Sequence, residues 1–229
     1  VVDEPVIETV TWNDNTDNAT CYWDDATKWN CSDGTHRVPC AYDKVVIPNR
    51  SSYPYHGYTI IATNPFPPFT SFYLGYRRTL TLKNGWDNKI EAETVTIFGE
   101  TGDNRAATLT CGGGFTESQI SNRVWIVADE LKLENAGSVI SSSGYGSCNG
   151  GAWHDATGMA ESDSGSYGGR GTASHGHTYG SITEPTAPGS GSWRTSNYKQ
   201  NGGGAVRIQA KRVVNNGSVN ATGTGGSFG

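Results

Sequence analysis

An internal repeat constrains the fold of this chain more than any other feature of its sequence. Residues 124–131 read Val-x-Ile-x-Ala-x-x-Leu, and residues 206–213 repeat this pattern with Val in the last position. Each copy continues into Asn-x-Gly-Ser-Val and a further Gly, at 135–144 and 215–223, once a two-residue gap is allowed. Short strands six or seven residues apart, with small residues at the turns, are typical of one coil of a parallel β-helix. Because a single coil cannot bury its apolar face, we expect the copies to stack position on position.

The composition favours short strands and turns over long helices. Gly accounts for 31 of the 229 residues, and Ser, Thr and Asn are also frequent. These residues are neutral to poor helix formers, whereas the 10% aromatic content is too high for a disordered chain. We therefore predict an all-β fold, a right-handed parallel β-helix (solenoid) with a small disulfide-stapled N-terminal module and a long Gly-rich insertion. Alternating apolar and polar residues predict strands at 58–61, 80–82, 94–98, 109–111, 124–127, 131–133 and 206–208.

Changes in composition divide the chain into four segments. Residues 1–50 form an acidic module containing Trp and Cys, and residues 51–140 hold the first β-helix coils. Residues 141–204 are a Gly/Ser-rich insertion loop, which needs a surface to pack on if it is to be ordered. Residues 205–229 return as a further coil.

The cysteines indicate an oxidising compartment. None of the five has the C-x-x-C spacing of zinc or redox sites, and three lie within twenty residues, which predicts a disulfide staple. The odd number leaves one thiol over, either for another chain or as a buried free cysteine. The disulfide candidates are Cys21, Cys31, Cys40, Cys111 and Cys148.

Five Asn-x-Ser/Thr sequons agree with a secreted glycoprotein, located outside the cell or at its surface. The N-glycosylation candidates are Asn18, Asn30, Asn49, Asn216 and Asn220. The 17 basic and 22 acidic residues form no basic stripe, so nucleic acid is not expected as a partner. No apolar run approaches the roughly 18 residues of a membrane helix, so we expect no transmembrane segment.

Glycine-rich passages of the second half resemble a known group of proteins. Residues 166–171 (Ser-Tyr-Gly-Gly-Arg-Gly), 179–181 and 188–192 are similar to segments of large β-helical surface and adhesin-like proteins. In that family a Gly-rich loop leads into Gly-Gly-Ala-(Val/Ile)-x-Ile, as at 203–208, and then into a Gly-x-(Val/Ile)-x-Ala-x-Gly corner, as at 217–223. The resemblance implies a glycine-rich β-helix at a cell surface.

The first segment resembles a different group. Residues 23–30, with Val-Pro-Cys at 38–40 and Asp-Lys-Val-Val-Ile-Pro at 43–48, are similar to the N-terminal module that precedes a β-helix in amnionless-type ectodomains. The chain departs from that pattern at 28–30, which read Lys-Trp-Asn where Asn-Trp is usual. The likeness again implies a secreted or cell-surface protein and brings no catalytic motif.

No common catalytic or nucleotide-binding motif is present, so we expect neither an enzyme nor a cofactor. A metal site at His175 and His177 with His154 and Asp155, and a calcium loop over 13–24, are both weaker interpretations than solvated loops. The insertion acids Asp155, Glu161 and Asp163 would line a flank groove if the chain acted on a polysaccharide.

Aromatic residues in the insertion have two equally supported interpretations. They contact a partner or a glycan, or they clamp the insertion onto its own coils. These residues are Trp153, Tyr167, Tyr179, Trp193 and Tyr198.

Together these features predict a structural extracellular glycoprotein subunit that self-assembles into a homo-oligomer or filament. A fibre, a surface appendage and an adhesive layer are the forms considered. Residues 6–12 alternate like a strand that pairs with its own chain or a neighbour. Residues 223–229 end in mid-pattern without a polar cap, so we expect either that the natural chain continues beyond 229 or that another subunit covers this end. The alternatives are a polysaccharide-binding or polysaccharide-cleaving β-helix protein and a receptor-ectodomain fragment.

Overall fold

The computed structural model of the chain describes residues 7–13, 20–50, 58–102, 105–112, 123–145, 183, 188–189, 192–193, 199–200 and 202–223. The described residues are strand-rich, with 50% in strands and 2% helical. Among the described residues the helical part is one 3-10 turn, Ala26–Lys28, which begins where the Asp25 carboxylate accepts a hydrogen bond from the Thr27 N–H.

The strands are short and follow one another closely along the chain. They are β1 Thr9–Trp12, β2 Thr20–Tyr22, β3 Trp29–Cys31, β4 Lys44–Ile47, β5 Tyr58–Ala62, β6 Phe69–Leu74, β7 Arg78–Leu82, β8 Ile90–Ile97, β9 Ala107–Cys111, β10 Val124–Leu133, β11 Ser138–Ser141, β12 Ser192–Trp193, β13 Lys199–Gln200, β14 Val206–Asn215 and β15 Ser218–Asn220.

Two large sheets contain most of these strands. The first has the order β14-β10-β8-β6-β4-β1-β3 and the second the order β15-β11-β9-β7-β5-β2. Their pairings are parallel, except that β3 is antiparallel to β1. The chain passes from one sheet to the other and adds a strand to each. We call such a pair of consecutive strands a layer; the six layers are β1–β2, β4–β5, β6–β7, β8–β9, β10–β11 and β14–β15.

The register between layers confirms the stacking expected for the first part of the repeat. Val124 lies opposite Val206, and Leu131 lies opposite Val213. The preceding strand β8 is a further copy, since Leu131 also lies opposite Val95. Inward side chains of successive layers therefore form continuous apolar columns, which build the core.

The second part of the repeat differs from the sequence alignment by one residue. The shared Gly-Ser-Val places Val139 on Val219, whereas in the structure Ile140 lies opposite Val219 and Val139 opposite Ser218. Ile140 is buried and Val139 only half-buried, so the inward position decides the register. The strands expected at 124–127 and 131–133 are likewise one strand, β10, which continues through the corner.

Glycines at the corners are required by close approach between layers rather than by positive φ. A Cβ on Gly99 would lie 1.9 Å from the Gly137 carbonyl oxygen, and one on Gly217 would lie 2.2 Å from that of Ser138. These distances are shorter than any non-bonded contact tolerates, so only Gly fits. Gly99, Gly137 and Gly217 are not among the described glycines with positive φ, which are Gly34, Gly102 and Gly144.

Candidate functional site

The cysteines do not form the predicted staple. Any disulfide among Cys21, Cys31 and Cys40 would include Cys31 or Cys40, and neither of these two is in a disulfide. Cys21 and Cys31 are buried in different sheets, whereas Cys40 is exposed beyond β3. Cys111 is also an unbridged thiol; it is buried, and burial raises its pKa to about 12. Cys148 lies outside the described residues.

Four of the five sequon asparagines are described, and Asn18 is not. Asn30 and Asn216 are exposed, and Asn220 is half-buried in β15. Asn49 is exposed, but its Oδ1 accepts hydrogen bonds from the Tyr73 hydroxyl and the residue 76 N–H, both at 3.1 Å. Its amide oxygen therefore already has a structural role.

Most of the insertion lies outside the described residues. This applies to Trp153, Tyr167, Tyr179, Tyr198, His154, Asp155, Glu161, Asp163, His175 and His177. For Trp193 the structure describes the backbone alone, in β12. The expectations on the insertion's aromatic, acidic and histidine side chains therefore remain predictions.

Neither a metal centre nor a membrane helix occurs in the described part of the chain. Its His, Cys, Asp and Glu residues form no group of three or more that could hold a metal ion. In the proposed calcium loop, Asp24 accepts a 2.7 Å hydrogen bond from the Asn64 side chain, and residues 14–17 are not described. No helix in the described ranges is long and apolar enough to span a membrane.

The last layer, β14–β15, exposes side chains that are buried in the layer beneath it. Val213 is 51% exposed although its register partner Leu131 is fully buried, and Val219 is 42% exposed although its partner Ile140 is fully buried. Within the described residues β14 has β10 as its one neighbour in the sheet, and β15 has β11. The last layer therefore presents two strand edges and an apolar surface.

The same layer is basic. Residues 205–223 contain Arg207, Lys211 and Arg212 and no carboxylate. Lys211 lies 2.7 Å from Asp129, and Arg212 lies 3.0 Å from Glu130. Both basic side chains are largely exposed, so these ion pairs contribute little to stability and leave the positive charge accessible to a partner.

At the opposite end of the stack, the edge of the first sheet is closed by its own chain. The outward Cys31 N–H donates to the Thr35 carbonyl at 2.9 Å, and the His36 ring lies 2.8 Å from the outward Trp29 carbonyl oxygen. Beneath them the Trp29 ring packs edge-on against Trp12 and Trp23, with centroids 4.8 and 4.6 Å away. The free edge of β3 is thus occupied, and aromatic rings fill the core at this end.

A surface groove of about 460 Å³ crosses β6, β8, β10 and β14. Its floor includes the small residues Ala92 and Ala128, and its acids are Glu91, Glu93 and Asp129. The exposed Tyr42 and Lys211 are also among its lining residues. These acids differ from the insertion acids predicted for a flank groove, because they lie on β8 and β10.

An outward ladder beside the groove has no counterpart in the sequence predictions. Trp125 lies between Lys89 and Arg207, whose charged groups are 5.3 and 5.0 Å from its ring centroid. Its indole N–H donates to the Gln209 side chain at 2.8 Å, and its ring is 5.6 Å from that of Trp86. Lys89 directly precedes β8 and Arg207 lies on β14, so cations flank the indole of β10 on both sides and the ladder links the three neighbouring strands.

Comparisons of this chain with protein-family models, curated proteins and solved structures gave no match. The function is therefore inferred from the layers, the exposed last layer and the groove.

Proposed function

We propose that this chain is a structural extracellular glycoprotein subunit. Its six layers are successive coils of an all-β, right-handed parallel β-helix, and copies assemble through the coil ends into a fibre, surface appendage or adhesive layer. The observation that carries this proposal is the exposure of Val213 and Val219, since their register partners are buried.

The chemistry of the last layer supports assembly in two ways. Covering half-exposed apolar side chains is favourable at about 25 cal/mol per Å² of apolar surface removed from water. The free edges of β14 and β15 carry backbone N–H and C=O groups that a further strand satisfies. Both contributions need a partner that continues the layers, and a second copy of this chain presents similar layers.

Sedimentation and electron microscopy of the full chain test this proposal. We expect the wild-type chain to form multimers as its concentration rises. Val213→Glu should abolish assembly, because it places a charge in the apolar contact. Val214→Glu is the matched control: it lies on the same strand opposite Lys132, outside the apolar column. A wild-type chain that stays monomeric at every concentration would contradict the proposal.

The groove favours a second candidate function, the binding of a polysaccharide. It crosses four neighbouring strands, about 14 Å at the usual strand spacing, and combines carboxylates with the exposed Tyr42. A glycan panel tests this function, and Tyr42→Ala and Glu93→Gln should each weaken any binding. Tyr22→Ala is the control, because Tyr22 is similarly exposed but lies outside the groove. Absence of binding to every glycan would exclude this function.

A further inference from the structure

We infer that copies of this chain dock head to tail, with the last layer of one copy on the first-layer end of the next. The first-layer end comprises residues 7–13 and 20–36, and the last-layer end comprises residues 205–223. This inference rests on the proposed self-assembly and names the partner surface, which the proposed function leaves open.

The charges of the two ends are complementary. The last-layer end carries three cations and no carboxylate. The first-layer end carries Glu8, Asp24, Asp25 and Asp33 against Lys28. Docking two last-layer ends together would place the same three cations against each other, whereas head-to-tail docking places them near carboxylates. Opposite potentials favour one partner surface and like charges disfavour the other.

Exposed apolar side chains also occur at both ends. Five large hydrophobic residues are exposed in the described structure: Ile7 and Tyr22 at the first-layer end, Val213 and Val219 at the last-layer end, and Tyr42 in the groove. Ile7 and Tyr22 are 52% and 58% exposed. Each end thus offers apolar area that the other end covers in a head-to-tail contact.

The backbone edges determine how the ends meet. In the first sheet the edge of β3 is occupied by residues 35 and 36, so β14 of a second copy packs against this turn without adding a strand. Among the described strands of the second sheet β2 is the last, with β5 as its neighbour, and its outward Tyr22 carbonyl accepts a hydrogen bond from the Asp25 N–H at 3.2 Å. The last strand, β15, of one copy is therefore positioned to pair with the remaining outward backbone groups of β2 of the next and to extend the second sheet.

Head-to-tail contacts use two different surfaces, so each added copy presents a new docking end. Such a heterologous contact produces an open assembly unless its rotation closes a ring. Successive copies add along the direction in which the layers stack. The result is a filament with two distinct ends.

Two variants, each disrupting one end, test the inference. Tyr22→Lys adds a cation to the acidic first-layer end, and Val219→Glu adds an anion to the basic last-layer end. Each variant alone should raise the concentration for half-maximal assembly by about tenfold or more, as like charges at an interface do. An equimolar mixture should form a 1:1 complex in sedimentation, because each variant keeps the end that the other has lost.

Controls separate a docking effect from misfolding. Asp87→Lys adds a cation at an exposed position between β7 and β8, away from both ends, and should assemble like wild type. Circular dichroism should show wild-type strand content in every variant. If Tyr22→Lys does not fold, Ile7→Lys replaces it, since Ile7 is at the same end.

The outcomes distinguish this inference from the proposed function. If Tyr22→Lys assembles like wild type while Val219→Glu does not, two last-layer ends meet and head-to-tail docking is wrong, although self-assembly stands. If both variants fail to assemble and their mixture fails too, head-to-tail docking is also wrong. A monomeric wild-type chain overturns the proposed function and, with it, this inference.

Discussion

Truncation of two register partners tests whether β14 is the outermost strand of its sheet. Leu131 on β10 is fully buried and Val213 on β14 is half-exposed, although the two lie opposite each other. Leu131→Ala removes three carbon groups at about 0.8 kcal/mol each, and the cavity left behind brings the loss to about 3–4 kcal/mol. Val213→Ala removes two groups that are half in water and leaves no closed cavity, so about 0.8 kcal/mol is expected.

Urea denaturation followed by circular dichroism measures both free energies of unfolding, at a concentration where the chain is monomeric. The expected difference between the two variants is about 2–3 kcal/mol. An equal loss at Val213 would show that another segment of the chain covers β14. In that case the last layer would not be an exposed surface, and the argument for assembly through it would fail.

Three further measurements test the packing of the layers. Ser138→Ala should lower the free energy of unfolding by about 2 kcal/mol. The buried Ser138 hydroxyl donates a hydrogen bond to the residue 97 carbonyl at 2.8 Å and accepts one from the residue 99 N–H at 3.0 Å. A loss below about 0.5 kcal/mol would contradict a stabilising role for these two hydrogen bonds. Trp125→Ala should cost about 1–2 kcal/mol in the same assay, since it removes two cation contacts and an aromatic contact; an unchanged midpoint would refute the ladder. In a Cys148→Ser background, a thiol reagent at neutral pH should react with the exposed Cys40. It should not label Cys111 in the folded chain, because Cys111 is buried and burial raises its pKa. Rapid labelling of Cys111 would contradict its burial.

The stacking of the layers could be predicted from the sequence because the inward positions carry apolar side chains at a regular spacing. The apolar spacing at 124–131 and 206–213 predicts the pairing of β10 with β14, since a column of Val, Ile and Leu is buried only when layers align. The related strand β8 was missed as a copy. It reads Ile-x-Ala-x-x-Val and is preceded by Asn-Lys rather than by the Val-x that opens the other two copies.

The corner register could not be predicted from matching residues. Gly-Ser-Val occurs in both copies, but Ser138 is held by hydrogen bonds to the layer below, while Ser218 lies opposite Val139. The number of residues that each corner needs depends on how closely the layers approach there. The distance between layers at a corner is set by contacts such as that of Gly137 with the residue 100 backbone. Such a contact joins two segments far apart in the chain, so the sequence of either segment alone does not specify it.

The closed end and the groove are long-range features and left no local pattern. The edge of β3 is occupied because residues 31–36 turn back on it, a contact that sequence spacing alone does not reveal. The groove combines residues from strands far apart in the chain, Glu91 on β8 and Asp129 on β10 among them. The sequence instead predicted flank acids in the insertion, because the insertion was expected to overhang the flank of the β-helix.

The contrast between the two ends links the predicted glycosylation to the predicted assembly. Asn216 and Asn220 both belong to the last-layer end, and Asn220 lies in β15, the strand proposed to pair with β2 of a second copy. Asn220 lies opposite Ser141, one position from the inward Val219, so a glycan on Asn220 would project from the outer face of the second sheet. The backbone edge of β15 lies in the plane of the sheet and stays accessible. Glycosylation at Asn220 is therefore compatible with docking through the edge of β15.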